Sequence, residues 1–269
     1  MTSANRSSGL HISSQKTNEY TETTMQRCTC AQAIRLGAAI LIVATGRGAH
    51  AQGAGDNTLS VGWVHSAPQT GSDPLRITSI GGTAVDTTLS GSGAGARSSD
   101  TAGFTIEHYF TDHIGVSVLG GWPGRTRLEG RGSLESYGVL GDAHTWAPEV
   151  VLRYHFGLPQ SRFRPFAGLG VNYTWFSNAR VTNSSFVTQN FGPGGSASVS
   201  ASSSWSPVFQ AGFDYRISKH WAAGMSVTYV PTDTNVTLTG RTAAGTEIVS
   251  KTKVRLRPLM TFLNVSYTF

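Results

Sequence analysis

The most regular pattern in this chain is alternation. Residues 263–269 read Leu-Asn-Val-Ser-Tyr-Thr-Phe, apolar and polar by turns up to a terminal phenylalanine. Successive side chains of a strand point to opposite faces, so a period of two means one apolar face and one polar face. The closing strand is read over 254–269, and seven more segments repeat the pattern: 57–65, 101–110, 114–122, 146–156, 163–176, 205–217 and 221–231. In the fifth, Phe163, Pro165, Ala167, Leu169, Val171, Tyr173 and Trp175 alternate with Arg164, Phe166, Gly168, Gly170, Asn172, Thr174 and Phe176. In the fourth, Val150, Leu152, Tyr154 and Phe156 oppose Glu149, Val151, Arg153 and His155. No stretch after Gln52 carries a convincing helical period.

The links between these strands have two lengths. Three are short, at 111–113, 157–162 and 218–220, and four are long, at about 66–100, 123–145, 177–204 and 232–253. Strict alternation of short turns and long loops predicts an all-β fold, an eight-stranded antiparallel transmembrane β-barrel with its termini in the periplasm. A soluble lipocalin-like barrel would reverse the faces, hiding the apolar one inside. Aromatic clusters at the strand ends favour lipid outside: Phe156, Phe163, Tyr215, Trp221 and Phe269 at one boundary, Trp122, Trp146, Trp175 and Trp205 at the other. The long loops are rich in Gly, Ser and Thr and are expected to be mobile.

Composition then narrows the classes. Only 13% of residues are charged and 32 are glycine, while no run of about 18 apolar residues is present to form a helical span. Five of the 21 basic and two of the 15 acidic residues precede Gln52, leaving +3 for the rest, with no basic stripe for nucleic acid. An apolar core at 36–45, preceded by Arg27 and Arg35 and followed by Ala49-His50-Ala51, reads as a cleavable signal peptide over 25–51. Residues 1–24 then read as an upstream extension, with translation beginning at Met25. Both cysteines, Cys28 and Cys30, fall in this leader, so the barrel at 52–269 has no disulfide, thiol nucleophile or Cys metal site.

Several stretches resemble the OmpW family of small outer-membrane proteins. They are residues 111–116 (Thr-Asp-His-Ile-Gly-Val), 163–174, Gly212-Phe213-Asp214-Tyr215, Trp221 with Met225-Ser226-Val227, and Val254-Arg255-Leu256. The resemblance implies a narrow, partly hydrophobic lumen that passes small hydrophobic molecules. It also implies that Tyr267 and Phe269 form the signal read by the barrel-assembly machinery. In the family a leucine and a tryptophan narrow the lumen. Their positions fall on Leu119 and on Thr228, and the threonine departs from the pattern. The first long loop also looks longer than is usual for the family.

The alternation points a mixed set of side chains inward. Glu107, Glu149, Arg153, His155, Arg164, Asp214 and Arg216 suggest a charge-paired plug, since polar groups inside a small barrel must be satisfied. Leu119, Phe166, Phe176, Leu256, Met260 and Phe262 suggest either an apolar pocket in the upper lumen or plain packing. A catalytic reading needs a nucleophile beside an oriented base. His65 and Ser66 are adjacent and so face opposite ways, and Tyr154-His155 has no serine after it. No enzyme, metal or cofactor is therefore expected. The expected partners are outer-membrane lipid, lipopolysaccharide, the assembly machinery and small hydrophobic solutes. The alternative is a closed structural barrel whose loops bind phage, toxin or host partners.

Overall fold

The computed structural model describes residues 52–269. The leader, its cleavage site and the upstream extension lie outside them. Eight strands form the barrel: β1 Asn57–Pro68, β2 Ser99–Tyr109, β3 Ile114–Gly121, β4 Glu149–His155, β5 Phe163–Val181, β6 Ser204–Arg216, β7 Trp221–Tyr229 and β8 Pro258–Thr268. Each is hydrogen-bonded antiparallel to the next. The ring closes where β1 meets β8, in unbroken register from Thr58↔Thr268 to Pro68↔Pro258. This is the meander that short turns and alternating long links dictate, and closure leaves no barrel edge open.

The faces divide as the pattern requires. Val61, Phe104, Leu152, Leu169, Phe209 and Val265 stand exposed on the outside. Thr105, Glu107, Ser117, Arg153, Arg164 and Gln210 are buried inside. At the end with the three short turns, Trp221 packs edge-on against Tyr267, and Phe163 packs on Phe213. At the loop end Trp146 and Trp175 stack in parallel at 5.7 Å. The two girdles bracket the apolar band, as a bilayer demands.

The long links, expected to be mobile loops, contain regular structure. They fold into strands that raise the wall above the loop-end girdle. One side prolongs β5 through Val139–Trp146 and Gly124–Gly132 to Ser92–Ala96. The other is a sheet in the order Ser196–Ala201, Asp233–Arg241, Glu247–Arg255, Leu75–Ile80, Thr83–Leu89. Thr, Val and Ile at alternate positions supply its strand propensity, as in Val236-Thr237-Leu238-Thr239. The last strand, read as 254–269, is broken: Val254 and Leu256 belong to the loop-end walls. Arg257 takes a positive φ of 39° and Pro258 begins β8.

One helix was missed. α1, Ser184–Phe191, is capped by Asn183, whose Oδ1 accepts a bond from the Phe186 amide at 2.8 Å. At eight residues it is too short to show a period. It buries Phe186 and Phe191 against Leu140, Val181, Leu238 and Ile248. The Phe191 ring lies on Gly240, where a Cβ would come within 1.9 Å of it.

Candidate functional site

The lumen is filled in layers. At the turn end Arg164, 1% exposed, donates from Nη1 to the Gln52 carbonyl at 2.7 Å and from Nη2 to the Asp112 carbonyl at 2.5 Å. The segment leading into β1 lies across this mouth. The Ala54 amide bonds Asp112 Oδ1 at 3.0 Å and the Gly55 amide bonds the Tyr109 carbonyl at 2.7 Å. Asp214 faces Arg164 across the β5–β6 ladder. Arg216, assigned to the same interior group, is at the rim instead. Its guanidinium bonds the Pro159 and Gln160 carbonyls of a turn. Its parity is inward, but it lies at the end of β6, where no lumen remains.

Further in, Glu107 is held from two sides. Arg153 Nη1 donates to Oε2 at 2.8 Å, and His155 Nε2 lies 2.8 Å from Oε1. Arg153 Nε also donates to Gln210 Oε1 at 2.7 Å, and Gln210 Nε2 donates to Thr228 Oγ1 at 2.9 Å. The Arg153 guanidinium lies 4.7 Å from the centre of the Phe166 ring. Five side chains from β2, β4, β6 and β7 thus form one buried chain. Gln210 was not singled out from sequence, although it is the amide on that inward face and a natural bridge between a cation and a hydroxyl. No hydroxyl is bonded to His155 among the described residues, and Glu107 is already shared with Arg153. The group holds charge in place and has no nucleophile–base pair.

Glu149 does not join this chain. It is 1% exposed, neither carboxylate oxygen has a partner among the described residues, and it sits between Leu119 and Asn172 in register. Nearby, Val151, Val208 and Val230 pack together with Met260 to form an apolar layer.

The apolar residues expected to share one pocket divide between levels. Phe166, with its ring 5.2 Å from His155, belongs to the lower lumen, and Phe262 is buried opposite Ser226. Leu119 is beside Glu149 and Met260 is in the valine layer. Phe176 and Leu256 instead line a cavity of about 110 Å³ within the loop-end walls, with Leu128, Leu140, Val236 and Val254. Asp142 is also in its lining and accepts from Arg125 Nη2 at 2.5 Å and Arg180 Nε at 3.0 Å. The hydrogen bond from Arg125, reinforced by Arg180, holds the Asp142 carboxyl below the usual carboxylate range.

A family model, the OmpW family, matches residues 76–269. The chain belongs to the OmpW family. It is 31% identical over 169 residues to outer membrane protein W of Salmonella typhi, covering 62% of this chain and 72% of that one. It is 28% identical over 182 residues to a dibenzothiophene metabolism operon protein, PahQ, of Pseudomonas aeruginosa, covering 66% and 76%. The crystal structure of OprG from Pseudomonas aeruginosa superposes with a TM-score of 0.70 at 27% identity, over 81% of this chain and 98% of that one. An OmpW-family barrel sits in the outer membrane, in contact with its lipids. The two positions expected to narrow the lumen differ from each other in their surroundings. Thr228 is bonded into the Gln210 chain, and Leu119 lies beside a buried acid.

Proposed function

We propose that this barrel passively admits small apolar solutes across the outer membrane. The loop end is its extracellular entrance and the turn end faces the periplasm. The observation that carries this reading is the cavity within the loop-end walls, whose lining is mostly apolar, with Leu128, Leu140, Phe176, Val236, Val254 and Leu256 among it. At about 110 Å³ it is comparable to cavities of roughly 150 Å³ that stay dry and bind benzene. Its occupant is then a single aromatic ring or a short alkane. The similarity to a protein named for dibenzothiophene metabolism supports an apolar, ring-bearing cargo.

The layers below disfavour an axial water pore. A charged solute would have to part the buried Glu107–Arg153 pair, which costs several kcal/mol. Leaving sideways between strands avoids that cost, because an apolar solute loses nothing on entering lipid. The test is uptake of toluene or hexane into vesicles with a lipopolysaccharide outer leaflet. Barrel-containing vesicles are expected to fill several-fold faster than protein-free ones, and Leu256→Arg should remove the gain. Equal rates with and without protein would refute the proposal.

A second reading rests on the strand Thr83–Leu89, which ends the loop-end sheet with one side unpaired among the described residues. Such an edge can accept an extended strand of a partner. Deleting 83–89 should abolish partner binding without altering uptake if recognition is its role.

A further inference from the structure

We propose that the lipid-facing wall carries a seat for one acyl chain of a periplasmic-leaflet phospholipid. A second concavity, about 600 Å³, lies over β4 to β7. Ala167, Gly168 and Ala211 form its floor, and Ala167 and Ala211 are direct cross-strand partners. Tyr154 and Val227 flank them in register, and Leu152, Leu169, Phe209 and Tyr229 form one cross-strand row on their loop-end side. Each of these four projects from the outer face and is exposed. The small floor residues therefore leave a trough between tall apolar neighbours. Such a trough in a bilayer is filled by hydrocarbon, and a chain seated in it gains contacts on three sides rather than one.

Its height selects the leaflet. Along β5, Ala167 is four residues from Phe163 of the turn-end girdle and eight from Trp175 of the other. Along β6, Ala211 is four from Tyr215 and six from Trp205. At about 3.3 Å per residue and a tilt near 40°, the floor is roughly 10 Å above the turn-end girdle, within half of a hydrocarbon core about 30 Å thick. With the turn end in the periplasm, as proposed above, that half is the phospholipid leaflet.

Charge at the foot agrees. Arg162 and Lys219 are exposed in the turns that precede β5 and β7. Neither forms an ion pair among the described residues. Arg162 adjoins Phe163 in the chain, so its guanidinium can meet a headgroup phosphate while the tail lies in the trough.

The experiment takes the folded barrel from phosphatidylethanolamine–phosphatidylglycerol vesicles into mild detergent and weighs it by native mass spectrometry. The wild type is expected to keep one phospholipid. Ala211→Phe, which fills the trough from the lipid side, should lower the lipid-bound fraction at least fivefold. Ala167→Leu provides an independent filling variant, and heat-modifiable gel mobility shows that each is folded. Arg162→Gln should lower the fraction about threefold. A spin-labelled phospholipid should show one motionally restricted chain per wild-type barrel, a readout that needs no variant. Any of four results overturns the seat: a wild type without retained or restricted lipid, equal retention after filling, preferential retention of lipid A when lipopolysaccharide is present, or a barrel dimer that filling dissociates. A failure of hydrocarbon uptake with lipid retention intact would count against the transport reading alone.

Discussion

Arg153→Met is the sharpest test of the interior chain. The substitution keeps most of the volume and removes the guanidinium. Glu107 then loses a charge-assisted bond, worth about 1.5–3 kcal/mol. Gln210 loses an acceptor's partner worth about 1 kcal/mol, and the Phe166 face loses its cation. Both members of the pair are under a tenth exposed, so solvent screens little of this. Leaving one charge of a buried pair uncompensated typically costs about 3–5 kcal/mol, which agrees with the sum of the parts. Urea unfolding of the barrel in vesicles, followed by tryptophan fluorescence, should show a loss of that size. The double variant Glu107→Leu with Arg153→Met removes both charges and should recover most of it, because an apolar replacement of a whole pair is often neutral. A loss below about 1 kcal/mol in the single variant, or a double variant no better than the single, would refute the account of a desolvated pair.

Three further outcomes follow from the geometry. Gly240→Leu should displace α1, since the Phe191 ring occupies the side-chain position, leaving folded barrels whose loop-end walls are cut faster by protease. Asp142 has a lowered folded pKa, so its contribution is present above the unfolded value near 3.8 and is lost as pH falls through the folded one. Hydrogen exchange in Val139–Trp146 should therefore rise in acid below about pH 4, and Asp142→Asn should show the raised exchange already at neutral pH. Phe269→Ala should reduce insertion and yield in the outer membrane, and unchanged folded levels by gel mobility would count against an assembly role.

The barrel was legible in the sequence because a strand between lipid and a lumen must alternate, and eight such segments cannot hide. The walls above the loop-end girdle were not, since their pairing joins distant segments such as Leu75–Ile80 with Glu247–Arg255, and their alternation runs for only a few residues at a time. Parity also explains the partial reading of the interior. It places Phe166 and Phe176 on the same face, yet they are ten residues apart, about 33 Å along β5. One therefore lies against His155 and the other in the loop-end cavity. Arg216 fails for the same reason: parity gives direction but not height. Gln210 escaped notice because an uncharged amide announces nothing until a cation and a hydroxyl are found on either side of it.

The seam between β1 and β8 has a kinetic consequence. Its ladder joins residues such as Thr58 and Thr268, 210 positions apart, and its last links run both ways between Asn57 and Phe269. Contacts of such sequence separation are entropically the slowest to form. No partly made chain can complete them before β8 has been made. Until then β1 is a bare edge, open to pairing with a neighbouring chain. The ring can be sealed only once β8 is available, and the time spent waiting for that seam is the interval in which this chain most needs an escort.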